Sequence, residues 1–181
     1  LLRWDHRERG PISPSRFIPL AEDIGLISSL GEWSLKIIGA QLNKINQEID
    51  RPLNISINIS QSQFNMRLFE YLKEMNKNNL IPLENLTLEL TENILLASNE
   101  TNLHLINLLK SMGVLLSIDD FGTGFSSLSY LTKLPLDQLK IDRSFVLNLF
   151  NEENSGNIIN AIIAMTSSLN LELVCEGVEN K

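Results

Sequence analysis

The sequence predicts an α/β protein of the (β/α)8 TIM-type barrel class, incomplete in this chain, with about six βα units. Three observations carry that expectation. Five strand-like segments recur: LNISIN at 53–58, LTLEL at 86–90, VLLSI at 114–118, LDQLKI at 136–141 and LELVC at 171–175. Their starts are 33, 28, 22 and 35 residues apart, and each gap holds a helix-like pattern. Strands alternating with helices make parallel βαβ units. A spacing near 30 residues is about one eighth of a ~250-residue barrel. The opening Leu1-Leu2-Arg3-Trp4 reads as the tail of a further strand. An open doubly wound sheet is the rival, and it fits the length better if the chain is complete.

Each helix has a local reason. Ser13 followed by Pro14 offers a cap and a proline at the first helical position, and Gly25 can end that segment. Trp33 to Ile45 and Phe64 to Met75 are helix-like. Ser98 can cap the next helix, whose Leu105, Ile106, Leu109 and Met112 share a face, and Gly113 closes it. Ile158 to Leu169 is apolar nearly all round, which predicts packing on two sides.

Composition narrows the class. Of 181 residues, 43% are hydrophobic and 20% charged, which excludes wholesale disorder and collagen-like repeats. No stretch reaches the ~18 apolar residues of a membrane helix, and no signal peptide opens the chain. One cysteine, Cys175, excludes a disulfide framework and a cysteine-based zinc site within the chain. A reducing, cytoplasmic setting fits, and an anchor elsewhere in a longer parent stays open. Cys175 is expected to be a small buried hydrophobe at a strand end. The net charge of −7 argues against a DNA- or RNA-binding surface. A phosphate-ester ligand would need metal ions to supply positive charge. The chain starts without Met and is expected to be an excised piece of something longer.

The polar residues gather at strand ends. Asn58 ends the first strand, and Glu89 the second, with Glu92 three residues on. Asp119-Asp120 ends the third, Lys140 and Asp142 the fourth, and Glu176 follows the fifth with Glu179 close behind. In both rival folds the C-terminal strand ends form the site. A single acidic residue after a strand is usually a cap or a solvated loop residue. Five such ends in succession point to chemistry. Asn and carboxylate oxygens are hard ligands suited to Mg²⁺ or Mn²⁺. Adjacent ionised aspartates repel unless a cation lies between them. A metal pair about 4 Å apart clamps an in-line phosphoryl displacement. His6 and His104 lie away from these ends, and His104 is expected to face solvent. Gly122-Thr123-Gly124 hints at a dinucleotide fingerprint, but Ser127 stands where its third glycine belongs.

These residues resemble the EAL domain family, a bacterial module that opens cyclic di-GMP. Leu1 to Trp4 looks like the tail of the E-A-L-L-R-W signature. Phe17 to Glu22 resembles the F-I-P-x-A-E segment, and Asn58-Ile59-Ser60 with Gln63 the N-x-S motif. Glu89 to Glu92 matches E-x-T-E, and Asp119 to Gly124 matches D-D-F-G-T-G. Leu139 to Asp142 matches L-K-I-D, and Glu176 to Glu179 matches E-G-V-E.

The resemblance implies a (β/α)8 barrel with a two-metal site using Mg²⁺ or Mn²⁺, hydrolysing cyclic di-GMP to linear pGpG. It implies that Asn58, Glu89, Asp119 and Asp120 are metal ligands. Lys140 and Glu176 would hold or activate the attacking water. Arg3 would contact a substrate phosphate, and Glu92 would anchor the Asp119–Gly124 loop. Asp142 and Glu179 are further motif positions. The family associates that loop with a homodimer interface and commonly carries an upstream GGDEF or sensory domain. The glutamate of the E-A-L signature would stand two positions before Leu1, and the family's C-terminal strand and helix are also missing from residues 1–181. The fragment alone is therefore expected to be inactive, with activity residing in the parent. If the parent lacks that glutamate, a cyclic di-GMP receptor that does not cleave is the alternative. Carboxylates and a lysine on barrel strands also describe enolase-type proton abstraction. The tandem aspartates and their glycine loop argue against that.

Overall fold

The computed structural model describes residues 2–96, 100–122, 131–147 and 155–178. The described residues form two compact units. Ser98, most of the Gly122–Ser127 loop and Glu179 lie outside the described residues.

The first unit comprises residues 1–53 and 61–82. Strands β1 (Trp4–His6) and β2 (Gly10–Ile12) pair antiparallel, with Trp4 opposite Ile12. The opening segment therefore runs into a short ribbon; it is not one of the parallel strands. Trp4 meets Phe17 edge-on at 5.8 Å between ring centroids, a favourable aromatic geometry. Helix α1 (Pro14–Asp23) starts with Pro14 in its first turn as expected, but the Ser13 side chain makes no cap: its hydroxyl pairs with the Ser15 hydroxyl at 2.8 Å. Gly25 takes φ +73° beyond its end, a conformation that favours glycine. Helix α2 (Ile27–Glu48) is longer than the sequence pattern suggests and buries Ile27, Leu35 and Leu42. Helix α3 (Met66–Lys77) is capped by Asn65, whose side chain accepts from the Arg67 amide at 2.9 Å. It buries Leu68, Phe69, Leu72 and Met75.

The second unit comprises residues 54–60 and 83–181. Its five strands are β3 (Ile55–Ile59), β4 (Leu86–Thr91), β5 (Leu115–Phe121), β6 (Gln138–Ile141) and β7 (Glu172–Cys175). All pair in parallel, in the order β3-β4-β5-β6-β7. A doubly wound sheet reverses its strand order at a switch point. Here the order never reverses, so the sheet belongs to the (β/α)8 barrel class, and all five expected strands are present. Helices α4 (Glu92–Leu96), α5 (Glu100–Ser111), α6 (Arg143–Leu147) and α7 (Ser155–Ser168) accompany the strands. Leu86, Leu88, Leu90, Leu116, Ile118, Leu139 and Ile141 are fully buried, as are Ile106 and Leu109 of α5. Burying each such side chain contributes about 1.5–3 kcal/mol.

Two expectations fail in this unit. Helix α7 buries Ile162 and Thr166, but Ile158 and Ile163 are exposed, so it packs on one side only. Cys175 is exposed. It closes β7, which among the described residues pairs only with β6. His104 is exposed, as expected. Among the described residues no helix is long and apolar enough to cross a membrane.

Candidate active site

The C-terminal ends of β3 to β7 carry the predicted polar residues, and parallel register sets them side by side. Asn58 on β3 is opposite Glu89 on β4. Thr91, two residues beyond Glu89, is opposite Asp119 on β5. Side chains two apart share a face, so Glu89 and Thr91 line one side and Asp119 joins them.

The β5–β6 pairing contains a device the sequence pattern did not disclose. Ile118 pairs with Leu139 and Phe121 with Ile141, so Asp119 and Asp120 together oppose the single residue Lys140. This is a β-bulge, with Asp120 at φ +54°. In a regular strand the two aspartates would point to opposite faces. A bulge re-aims one of them. Aspartate tolerates the left-handed conformation better than most residues. The tandem Asp-Asp at a strand end was the available signal.

Lys140 is where the cluster meets. Its Nζ lies 3.0 Å from Glu89 Oε1, 3.1 Å from Asp119 Oδ1 and 2.5 Å from Glu176 Oε1. Glu89, Asp119 and Lys140 are buried, while the Glu176 side chain keeps 38% exposure. A buried lysine ordinarily loses its proton more readily. Burial lowers the Lys140 pKa, but hydrogen bonds to Glu176, Glu89 and Asp119 outweigh it and raise it above the usual lysine value. With these three carboxylates around it, the ammonium form of Lys140 is favoured. Partial burial, then the charges of Asp119, Asp142 and Glu176, raise the Asp120 pKa and so favour its neutral form relative to an ordinary aspartate. Asp142 is held low, chiefly by the Ser144 hydroxyl.

Four carboxylates (Glu89, Asp119, Asp120, Glu176) against one ammonium leave a formal charge of −3 on this cluster. Among the described residues no three His, Cys, Asp or Glu side chains are grouped to hold an ion unaided; the carboxylates gather on Lys140 instead. Hard oxygen donors with excess negative charge suit Mg²⁺ or Mn²⁺, so the donor set fits such ions.

Other predicted residues fall differently. Asn58 is exposed on β3. Glu92 opens α4 and is buried, and both its carboxylate oxygens lack a hydrogen-bond partner among the described residues. That excludes the solvated-loop reading for Glu92. Arg3 belongs to the first unit. Asp142 accepts from the Ser144 amide at 2.9 Å and from the Ser144 hydroxyl, just before α6. Ser117 went unremarked in the sequence. It is fully buried on β5, and its hydroxyl has no hydrogen-bond partner among the described residues.

Fold and strand-end cluster together define a barrel-type domain with an acidic, lysine-centred site. The EAL domain family model matches residues 1–181, and the chain belongs to that family. It is 40% identical over 182 residues to the bifunctional diguanylate cyclase/cyclic di-GMP phosphodiesterase MucR of Pseudomonas aeruginosa, covering 100% of this chain and 27% of that protein. It is 38% identical over 180 residues to the cyclic di-GMP phosphodiesterase NbdA of the same organism, covering 99% and 23%. The chain thus spans about a quarter of the length of these curated relatives. Among solved structures, the PaMucR phosphodiesterase in complex with c-di-GMP superposes with a TM-score of 0.95 at 40% identity, covering 100% of this chain and 74% of that one.

Proposed function

We propose that this chain is the catalytic part of a metal-dependent phosphodiesterase that hydrolyses cyclic di-GMP to linear pGpG. One observation carries the reading: the Lys140 ammonium lies within 3.1 Å of Glu89, Asp119 and Glu176, which come from three other strand ends. The names of MucR and NbdA support the same substrate and reaction.

Asn58, Glu89, Asp119 and Asp120 would hold two divalent ions, Mg²⁺ or Mn²⁺. Bound there, the ions would neutralise the phosphodiester and stabilise charge developing during an in-line displacement. Lys140, set among these carboxylates, would hold the attacking water's oxygen in place. Glu176 is the partly exposed carboxylate beside it and accepts the water's proton. The water oxygen bonds to phosphorus, one phosphodiester P–O bond breaks, and the leaving oxygen takes up a proton. Arg3 is carried over from the family pattern as a phosphate contact. Glu92, buried and without a hydrogen-bond partner among the described residues, is carried over as the anchor of the Asp119–Gly124 loop.

The test is hydrolysis of cyclic di-GMP by the intact protein with Mn²⁺ or Mg²⁺, and with EDTA as control. The expected result is pGpG that appears only with metal. Binding of cyclic di-GMP without cleavage would overturn the enzyme reading in favour of a receptor.

A further inference from the structure

Ser117 is fully buried, and its Oγ has no hydrogen-bond partner among the described residues. Leaving a buried hydroxyl unpaired costs it the hydration it had in the unfolded chain. A group carrying that cost beneath a reactive cluster calls for a partner in the working state.

Its neighbours narrow the choice. Ser117 stands two residues before Asp119 on β5, so the two share a face. Register sets it between Glu89 of β4 and Gln138 of β6. The Gln138 amide donates to Glu172 Oε2 at 3.0 Å, away from β5. The three N–H donors of Lys140 are matched by Glu89, Asp119 and Glu176. Asp119 Oδ1 is held from two sides, by Lys140 and by the Asp120 amide at 3.1 Å. Among the described residues Glu89 is held from one side only, by Lys140. A donor without an acceptor thus lies in register with a carboxylate that has spare capacity.

We infer that Ser117 is a positioning residue for Glu89. Its hydroxyl donates to the Glu89 carboxylate and keeps it oriented when a divalent ion competes with Lys140 for that oxygen. The inference rests on the metal reading above. Hydrogen bonds from a hydroxyl to a carboxylate are among the stronger ones. Losing the group that orients a metal ligand commonly weakens metal binding by about 10–100-fold.

The test is Mn²⁺ titration of the intact protein, followed by calorimetry and by thermal unfolding, for Ser117→Ala and Ser117→Thr. Ser117→Ala should weaken Mn²⁺ binding about tenfold. At saturating ion that removes about 1.4 kcal/mol of metal-induced stabilisation. Its metal-free Tm should be equal or higher, because an unpaired buried hydroxyl is gone. Ser117→Thr keeps the hydroxyl and should bind Mn²⁺ within about twofold of the parent, a margin small beside the loss expected for Ala. Unchanged Mn²⁺ affinity in Ser117→Ala would overturn the positioning role, as would equal weakening in both variants, which would point to packing. If the unsubstituted protein shows no Mn²⁺ response at all, the metal reading fails first and this inference fails with it.

Discussion

A lysine among three carboxylates does two things at once. It neutralises charge that strand geometry has forced together, and it competes with any divalent ion for Glu89 and Asp119. These effects separate in Lys140→Met. Removing one partner of a buried ionic cluster costs about 3–5 kcal/mol, because the charges left behind are unpaired. The metal-free Tm should therefore fall. The cluster becomes more negative, so Mn²⁺ should bind at a lower midpoint and recover much of the lost stability. Turnover should still drop by at least about 10²-fold, since nothing then holds the water beside Glu176. Titration calorimetry and a cyclic di-GMP assay on one preparation check both. Weakened Mn²⁺ binding would mean that Lys140 organises the ligands more than it competes with them.

At the scale of elements, strands were more legible than their surroundings. All five parallel strands, the start of α1 at Pro14 and the buried face of α5 follow from alternation, Pro14 and the 3.6-residue period. These are local signals, and local signals suffice where burial is one-sided or complete. The apolar run of α7 misled because composition records what could be buried, not what covers it; Ile158 and Ile163 remain exposed. Trp4 opens an antiparallel ribbon and not a parallel strand, because short apolar segments suit a ribbon as well as a sheet. The bulge at Asp119-Asp120 escaped because it exists only in the pairing with Lys140. The residue that follows it is testable. Gly122 sits at φ +97°, and a Cβ there would lie 2.8 Å from the Phe145 ring. Gly122→Ala should lose about 1–3 kcal/mol from backbone strain, with further loss from the ring contact. The measurement is urea unfolding, with Gly156→Ala as control, where a Cβ meets nothing. Equal stability in both variants would show that the segment after β5 adapts freely.

For the molecule as a whole, the division into two units makes a prediction that no single residue carries. Every candidate metal ligand lies in residues 54–60 or 83–181, the unit built on the parallel sheet. An ion that binds only the folded form stabilises it by about 2.7 kcal/mol at a hundred times its Kd. Amides that exchange through local opening report that gain only where the opening breaks the ion's site. Mn²⁺ should therefore slow hydrogen exchange at the C-terminal ends of β3, β4, β5 and β6. It should leave locally opening amides of α2 and α3 at their metal-free rates, and EDTA should reverse the effect. Exchange read by mass spectrometry at peptide resolution separates the two units. Slowing confined to α2 and α3 would move the ion off the sheet and would sink the assignment of Asn58, Glu89, Asp119 and Asp120 together. Slowing at β4 and β5 but not at β3 would sink Asn58 alone, the candidate ligand that stands exposed on β3.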